Sequence, residues 1–478
     1  MTRADLDAGQ VQTELGPLLC EISSVFGPDS PLWANATSRY QEYKPPRVQV
    51  AVRVGCEDDV AKIVNYANEN SLPFYTVNRG HGMTITQGQF QGLEIDMQLL
   101  TGIEINSDGK SARLQGGTYT QEVIDVLWEQ GYVTTTGSCA CVGMMGLGLG
   151  GGHGRLQGSY GMVSDNFVSL NVVLANGTAI VVSETSHPDL FWAMKGAGHN
   201  FGVVTSFELR IFPRQVDTWY YRNYVFSQSN LEPLFEELNR LQGNGTQPVK
   251  IGWQFVLYEM IAEFSQTEPI VLWSFSYAGS EEEAQELLAP FDALGPLNIT
   301  GGNVPYPEIA NAQKTGLNDP VCAHGFERIV STAGLQIYNV TAQRAIYDAF
   351  DDMIQTYPAF NGSVVLMEGY PVDGVLKVDP ALSAYPWRDD YLLTWASITY
   401  PPNSSLDATA IEWASRFRTL WNQGQPARRP TTYVNYAFGT ESTESMYGYE
   451  SWRLDRLRSL KRKYDPENRF SYYNPIPI

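Results

Sequence analysis

Between residues 48 and 212 the apolar positions switch repeatedly between two periods. Residues 48–54 are β-branched and alternate as a strand does. Residues 57–70 space their apolar side chains at helical intervals, and 74–77 form a short buried-type strand running into the turn Asn78-Arg79-Gly80-His81. Further strands are predicted over 92–97 and 112–114, and a helix over 120–130 stops at Gly131. The β-rich stretches 167–174 and 178–183, joined through Asn176-Gly177, are the strongest hairpin signal in the chain. A short helix over 188–195 follows, with proline in its first turn. The strand at Asn200-Phe201-Gly202-Val203-Val204 closes this half.

From about 215 the pattern changes to longer aromatic strands at 219–226, 251–258 and 270–277, interleaved with helices at 231–241, 281–294 and 342–357. Strands at 364–368 and 391–400 and a helix at 408–422 complete the block, which reads as an antiparallel sheet backed by helices. The last helix, 449–463, ends in basic residues that suit its macrodipole. The fold class is therefore α+β, and 478 residues exceed one ordinary core.

Composition narrows the functions. Hydrophobic residues make up 43% and charged residues 18%, as in a globular protein. A formal charge of −20 argues against nucleic-acid partners, whose binding relies on cationic side chains that displace condensed counterions. No run of 18 or more apolar residues is present, so no membrane span is expected. The first residues, Met1 to Asp7, carry acids and no apolar stretch, unlike a signal peptide. Seven Asn-X-Ser/Thr acceptors, at Asn35, Asn176, Asn244, Asn298, Asn339, Asn361 and Asn403, together with few cations, nevertheless point to a secreted glycoprotein. Of five cysteines, Cys20 and Cys56 either form one bridge or are buried free thiols, and Cys322 has no obvious partner.

The candidate chemistry lies in two places. His81 sits in the glycine turn Arg79-Gly80-His81-Gly82, which lets the backbone turn sharply and present the imidazole. Cys139, 58 residues later, opens a run with seven glycines among residues 143 to 154. Met144, Met145, Leu147 and Leu149 punctuate that run, so it reads as a buried segment wrapped against a ligand, with backbone N–H groups able to approach a pyrophosphate. It lacks the Gly-Lys-Ser/Thr ending of a phosphate-binding P-loop and the strand-turn-helix frame of a dinucleotide fingerprint. A metal is not expected, because the five histidines show no paired spacing and Cys139-Ala140-Cys141 lacks a second pair at zinc spacing. No Gly-X-Ser-X-Gly elbow supports a serine hydrolase.

Gly137-Ser138-Cys139-Ala140-Cys141-Val142-Gly143, Gly150-Gly151-Gly152-His153-Gly154, Pro188-Asp189-Leu190-Phe191-Trp192-Ala193 and Asn200 to Val204 are similar to the berberine-bridge-enzyme-like flavoprotein oxidases of the vanillyl-alcohol-oxidase superfamily. So are Tyr433-Val434-Asn435-Tyr436 and Lys463 to Phe470. The resemblance covers about residues 40–214 and 430–478; the middle matches in layout alone. It implies a split FAD-binding domain of the PCMH type over 1–214, a substrate domain over 215–430, and a segment, 431–478, returning to the FAD domain. It also implies FAD bonded to His81 through the 8α position and to Cys139 through C6, with Cys141 serving as packing. Cofactor contacts are implied for Arg79, Gly80, Gly82, Val142, Gly143, Gly146, Gly150, Gly151, Gly152, Asn200, Gly202, Val203 and Asn474. His199 stands where such proteins commonly have glycine.

In this family the second tyrosine of Tyr-X-Asn-Tyr is the usual acid/base, which makes Tyr436 the catalytic candidate and Tyr433 its alternative. A regular strand would turn 433 and 436 to opposite faces. The additional carboxylate of some members is expected on the strand 391–397, where this chain has Thr394, with Asp389 and Asp390 near the strand's mouth. A small residue three positions after the attaching thiol goes with oxidases and leucine with dehydrogenases; this chain has Val142. The resemblance thus implies a monomeric oxidase that passes hydride from an alcohol or activated C–H to FAD and electrons on to O2, giving hydrogen peroxide. The substrate is a carbohydrate or an aromatic secondary metabolite. An oxidative cyclase and a binding protein with structural flavin are the alternatives.

Overall fold

The computed structural model describes residues 6–243 and 245–478, so residues 1–5 of the amino terminus and the acceptor Asn244 lie outside the described residues. Among the described residues, three sheets of four, five and seven strands carry the fold, with one further two-stranded pairing.

The first sheet runs in the order Ser24–Phe26, Arg47–Arg53, Gln91–Asp96, Phe74–Val77. The Gln91–Asp96 strand pairs in parallel with both of its neighbours, as a right-handed crossover through a helix allows. That helix, Glu57–Glu69, places Glu57, Asp58 and Asp59 at its positive end and buries Val60, Ile63, Val64 and Ala67 on one stripe against Val50, Val52, Leu93 and Ile95. Cys20 is disulfide-bonded to Cys56 at the helix's N-cap.

The second sheet is antiparallel, in the order Ile103–Ile105, Ser111–Gln115, Val203–Arg210, Phe167–Val173, Ala179–Ser183. Its last two strands are the expected hairpin. Gly177 takes the left-handed conformation, with φ +81°, and Asn176 Oδ1 accepts from the Thr178 amide at 3.0 Å. The expected strand at Asn200 begins later, at Val203, because Gly198–Asn200 forms a 3₁₀ turn.

The seven-stranded sheet runs Asn298–Val304, Trp219–Phe226, Ile270–Tyr277, Ile251–Glu259, Val364–Gly369, Leu392–Tyr400, Glu327–Leu335, all antiparallel. The sequence reading lacked the two edge strands. Asn298–Val304 is largely exposed and contains two glycines, so it shows no apolar alternation, and Glu327–Leu335 carries Ser331, Thr332 and Gly334 inside a buried run. Helices Leu231–Gln242, Glu281–Asp292, Val340–Thr356 and Asp407–Gln423 back one face, where Trp273, Tyr258, Phe350 and Phe417 meet. Because side chains alternate along a strand, the opposite face receives Trp253, Phe255, Glu368 and Leu393. The chain's last part packs into the first half: Val434, Tyr447, Leu457 and Ile476 share one apolar cluster with Leu114 and Phe207. The last helix is Ser451–Tyr464, and its Lys461 is buried, donating to Asp465 and to the carbonyl oxygens of Asn200 and Phe470.

Candidate active site

The turn after the Phe74–Val77 strand is fixed from both sides. Asn78 Nδ2 donates to the carbonyl oxygens of Gly116 and Thr118 at 2.9 and 3.0 Å, and the Arg79 guanidinium lies 4.2 Å from the centroid of the Tyr119 ring. Gly80 has φ +66°, and a Cβ there would stand 3.0 Å from the Ser38 carbonyl oxygen, so both conformation and space call for glycine. A Cβ on Gly82 would approach the Tyr473 ring equally closely. His81 is thereby laid flat on Tyr40, ring centroids 3.9 Å apart, with the Arg328 guanidinium over the same tyrosine at 4.0 Å. Burial, followed by His324 and Arg328, pushes His81 down to about 3, so its imidazole is neutral and nucleophilic at physiological pH.

Cys139 is the free thiol, and Cys141 is disulfide-bonded to Cys322. This corrects two expectations, since Cys141 is neither a mere packing residue nor free, and Cys322 does have a partner. A sequence separation of 181 made the pairing invisible along the chain. Cys139 Sγ lies 3.6 Å from each sulfur of the bridge, and Cys141 Sγ lies 4.0 Å from His81 Nδ1. Burial pushes the Cys139 thiol up to about 11, opposed by the Cys141 amide and by Arg155. Arg155 is itself buried, donating to the Ser138 carbonyl oxygen at 2.8 Å and standing 5.0 Å from the centroid of the Trp253 ring.

The glycine run is partly helical, Met144–Leu149, with Gly143 at its N-cap. Gly146 and His199 line a cleft of about 140 Å³ with Thr76, Asn78, Gly202, Val203 and Tyr473. His199 stacks on Tyr473 at 4.3 Å, and its Nε2 lies 2.8 Å from the Gly146 carbonyl oxygen. Thr76 Oγ1, Asn78 Oδ1 and His199 Nδ1, all buried and all on this cleft, lack protein partners, and a Cβ on Gly146 would meet nothing. Unpaired buried polar atoms beside open glycine backbone fit an extended polar cofactor. Gly150, Gly151 and Gly152 pack against Asn435, Tyr385 and Val163. Val142 is half-buried, and its carbonyl oxygen accepts from the Thr120 amide. Asn200 and Asn474 are buried together: Asn200 Oδ1 accepts from Ile476 N, and Tyr447 donates to the Asn474 carbonyl oxygen at 2.6 Å.

Tyr433 to Tyr436 is not a strand. Val434–Tyr436 forms a 3₁₀ turn, and a repeat of three residues per turn brings Tyr433 and Tyr436 to the same side, ring centroids 5.0 Å apart. Their hydroxyls nonetheless differ. Tyr433 accepts from Asn435 Nδ2 at 2.7 Å. Tyr436 donates to Glu368 Oε2 at 2.8 Å. Tyr370 donates to Glu368 Oε1 at 3.0 Å and lies equally close to Ser138 Oγ, next to the free thiol. Burial raises Glu368 to about 7, opposed by the hydrogen bonds from Tyr436 and Tyr370, and holds Tyr436 well above the usual phenol range.

The carboxylate that the Tyr436 hydroxyl reaches is Glu368, on the strand next to the one where the resemblance pointed and this chain has Thr394. Thr394 faces the opposite side of the sheet, exchanging hydrogen bonds with the Ala333 backbone. Asp390 is buried in an ion pair with Arg428, and Asp389 is exposed beside the same arginine. The signal was present in Val364-Val365-Leu366-Met367-Glu368-Gly369, where a single carboxylate interrupts an apolar strand.

Comparison with known proteins gives the family and the fold. Residues 48–183 match the FAD binding domain family, and residues 432–477 match the family described as berberine and berberine like. The FAD-linked oxidoreductase anuG of Penicillium roqueforti is 63% identical over 475 residues, covering 99% of this chain and 93% of that protein. Two solved structures share the fold at low identity. Glucooligosaccharide oxidase from Acremonium strictum, with its 6-S-cysteinyl, 8α-N1-histidyl FAD, is 19% identical with a TM-score of 0.81, covering 98% of this chain and 99% of its own. The 6-hydroxy-D-nicotine oxidase from Arthrobacter nicotinovorans is 23% identical with a TM-score of 0.76, covering 95% and 98%.

Proposed function

Because the chain belongs to the berberine-bridge-enzyme-like FAD-linked oxidoreductases, we propose that it is an oxidase of an alcohol or activated C–H, with FAD bonded to His81 and Cys139. The observation that carries the oxidative step is the Tyr436–Glu368 hydrogen bond. FAD, held by His81 and Cys139, would supply the hydride acceptor, with O2 as terminal oxidant and hydrogen peroxide as its product. Tyr436 takes the substrate proton as its own proton passes to Glu368 Oε2, so the phenol never has to ionise in bulk. Tyr370 orients the carboxylate. Asn435 holds Tyr433 in place as the wall beside the base.

The sheet face around Glu368 carries Phe255 and Leu393, buried, and Leu257, Leu272 and Leu366, half-buried, while Ser274 and Asn223 in the same row are bonded to each other at 2.7 Å. It offers few partners for the many hydroxyls of a sugar and supports an aromatic or otherwise apolar alcohol as substrate. A carbohydrate is the second reading, favoured by the fold shared with a glucooligosaccharide oxidase. Passage through a secretory compartment is also proposed. Two disulfides and acceptor asparagines exposed at Asn35, Asn176, Asn339, Asn361 and Asn403 support it. The test is anaerobic mixing with aromatic alcohols and with oligosaccharides. Bleaching of the yellow chromophore by the former identifies the substrate class, bleaching by oligosaccharides alone reverses it, and a chromophore that no substrate bleaches marks a flavin with a structural role.

A further inference from the structure

We propose that the Cys141–Cys322 disulfide is a guard on cofactor attachment: by taking Cys141 out of reach as a nucleophile, it leaves Cys139 as the one thiol able to bond the FAD ring. The proposal rests on the attachment at Cys139 advanced above. Cys139 and Cys141 share one short turn, their sulfurs are 3.6 Å apart, and Cys141 Sγ is 4.0 Å from His81 Nδ1. An unpaired Cys141 would therefore present a second thiol to the same end of the ring that His81 bonds. Attachment replaces one S–H and one ring C–H by an S–C bond, and the two hydrogens leave with O2 as hydrogen peroxide. Either thiol satisfies that balance, so availability decides between them.

A tether is the ordinary use of such a bridge, but tethering here is already provided. The segment preceding Cys322 is bound to the Cys139 loop by Ala140 N donating to the Thr315 carbonyl oxygen at 2.9 Å and by Thr315 Oγ1 donating to the Ser138 carbonyl oxygen at 3.2 Å. Arg155 donates to the same Ser138 oxygen. What the disulfide adds is the removal of a thiol. The bridge is also protected from its neighbour. Cys139 Sγ is equidistant from both sulfurs and so lies beside the S–S bond, whereas exchange needs attack along its axis.

The test compares wild type, Cys322→Ser, and Cys141→Ser/Cys322→Ser by peptide mass mapping of the flavin. Flavin on His81 reports a folded, loaded protein in each. Cys322→Ser frees Cys141 and is expected to lower Cys139-linked flavin by about half or more, two similar thiols sharing one carbon, with flavin or a Cys139–Cys141 disulfide appearing in its place. The double variant has neither bridge nor competitor and is expected to recover wild-type linkage at Cys139. Unchanged linkage in Cys322→Ser overturns the guard, and so does equal loss in both variants, which marks a tether. A wild type without sulfur-linked flavin overturns the attachment reading itself.

Discussion

The hydroxyl of Tyr436 donates to Oε2 of Glu368 at 2.8 Å across 68 residues of chain, from a 3₁₀ turn of the carboxy-terminal segment to the middle of the seven-stranded sheet. The pair gives a phenol that is too weak a base alone a proton acceptor already in hydrogen-bond contact. The acceptor's own affinity for protons is raised by burial toward neutral pH.

The two tyrosines of the turn separate by function. Tyr436→Phe keeps the ring and removes the donor to Glu368, so flavin reduction is expected to slow by about 10²- to 10⁴-fold in a folded, yellow protein. Tyr433→Phe deletes the acceptor of one Asn435 Nδ2 hydrogen bond, so it is expected to lose about 1–3 kcal/mol of stability while reducing flavin much as wild type does. Rapid-mixing reduction together with denaturant unfolding distinguishes them, and the opposite ranking in rate moves the base to Tyr433.

Attachment is tested by acid precipitation. His81→Ala and Cys139→Ala each are expected to keep a yellow pellet through the remaining bond, and the double variant to release FAD to the supernatant. The neutral imidazole of His81 makes its linkage insensitive to pH above about 5 during loading with free FAD, since its proton is lost near 3. A pellet that stays yellow in the double variant removes both residues from the assignment.

Val142, three residues past Cys139, is expected to leave O2 a path that leucine would fill. Val142→Leu is therefore expected to slow reoxidation by O2 far more than reduction by substrate. Stopped-flow traces in which both half-reactions slow equally contradict a gating role.

Burial of Glu368 also leaves a mark on stability. Its carboxyl ionises near 7 in the fold and near 4.5 when unfolded, so between those values the native chain binds more protons and stability falls as pH rises. Glu368→Gln removes that dependence. The melting temperature of the variant relative to wild type is expected to climb between about pH 4.5 and 7 and then level off. A constant offset across that range shows that Glu368 titrates as an ordinary carboxyl.

Local signals carried the first half of the fold well. The Asn176-Gly177 hairpin, the acid-capped helix at Glu57 and the glycine turn at His81 each depend on residues adjacent in sequence. The site's second half depends on contacts between distant segments. Cys322 reaches Cys141, and Glu368 reaches Tyr436, only once the sheet has formed, and Thr394 was one strand over and one face away, paired with Met367 rather than with Glu368. The turn at Tyr433 misled for a local reason: a spacing of three puts two tyrosines on opposite faces of a strand but on one face of a 3₁₀ turn.

The rate of anaerobic flavin reduction as a function of pH, in wild type and Glu368→Gln, tests the proton path most directly. Wild type is expected to gain rate as pH rises through about 7, because the carboxylate form accepts the proton. The variant is expected to be about 10²-fold or more slower above that pH and to lose the inflection. A variant that keeps both the wild-type rate and its inflection near 7 contradicts the account and places the base elsewhere.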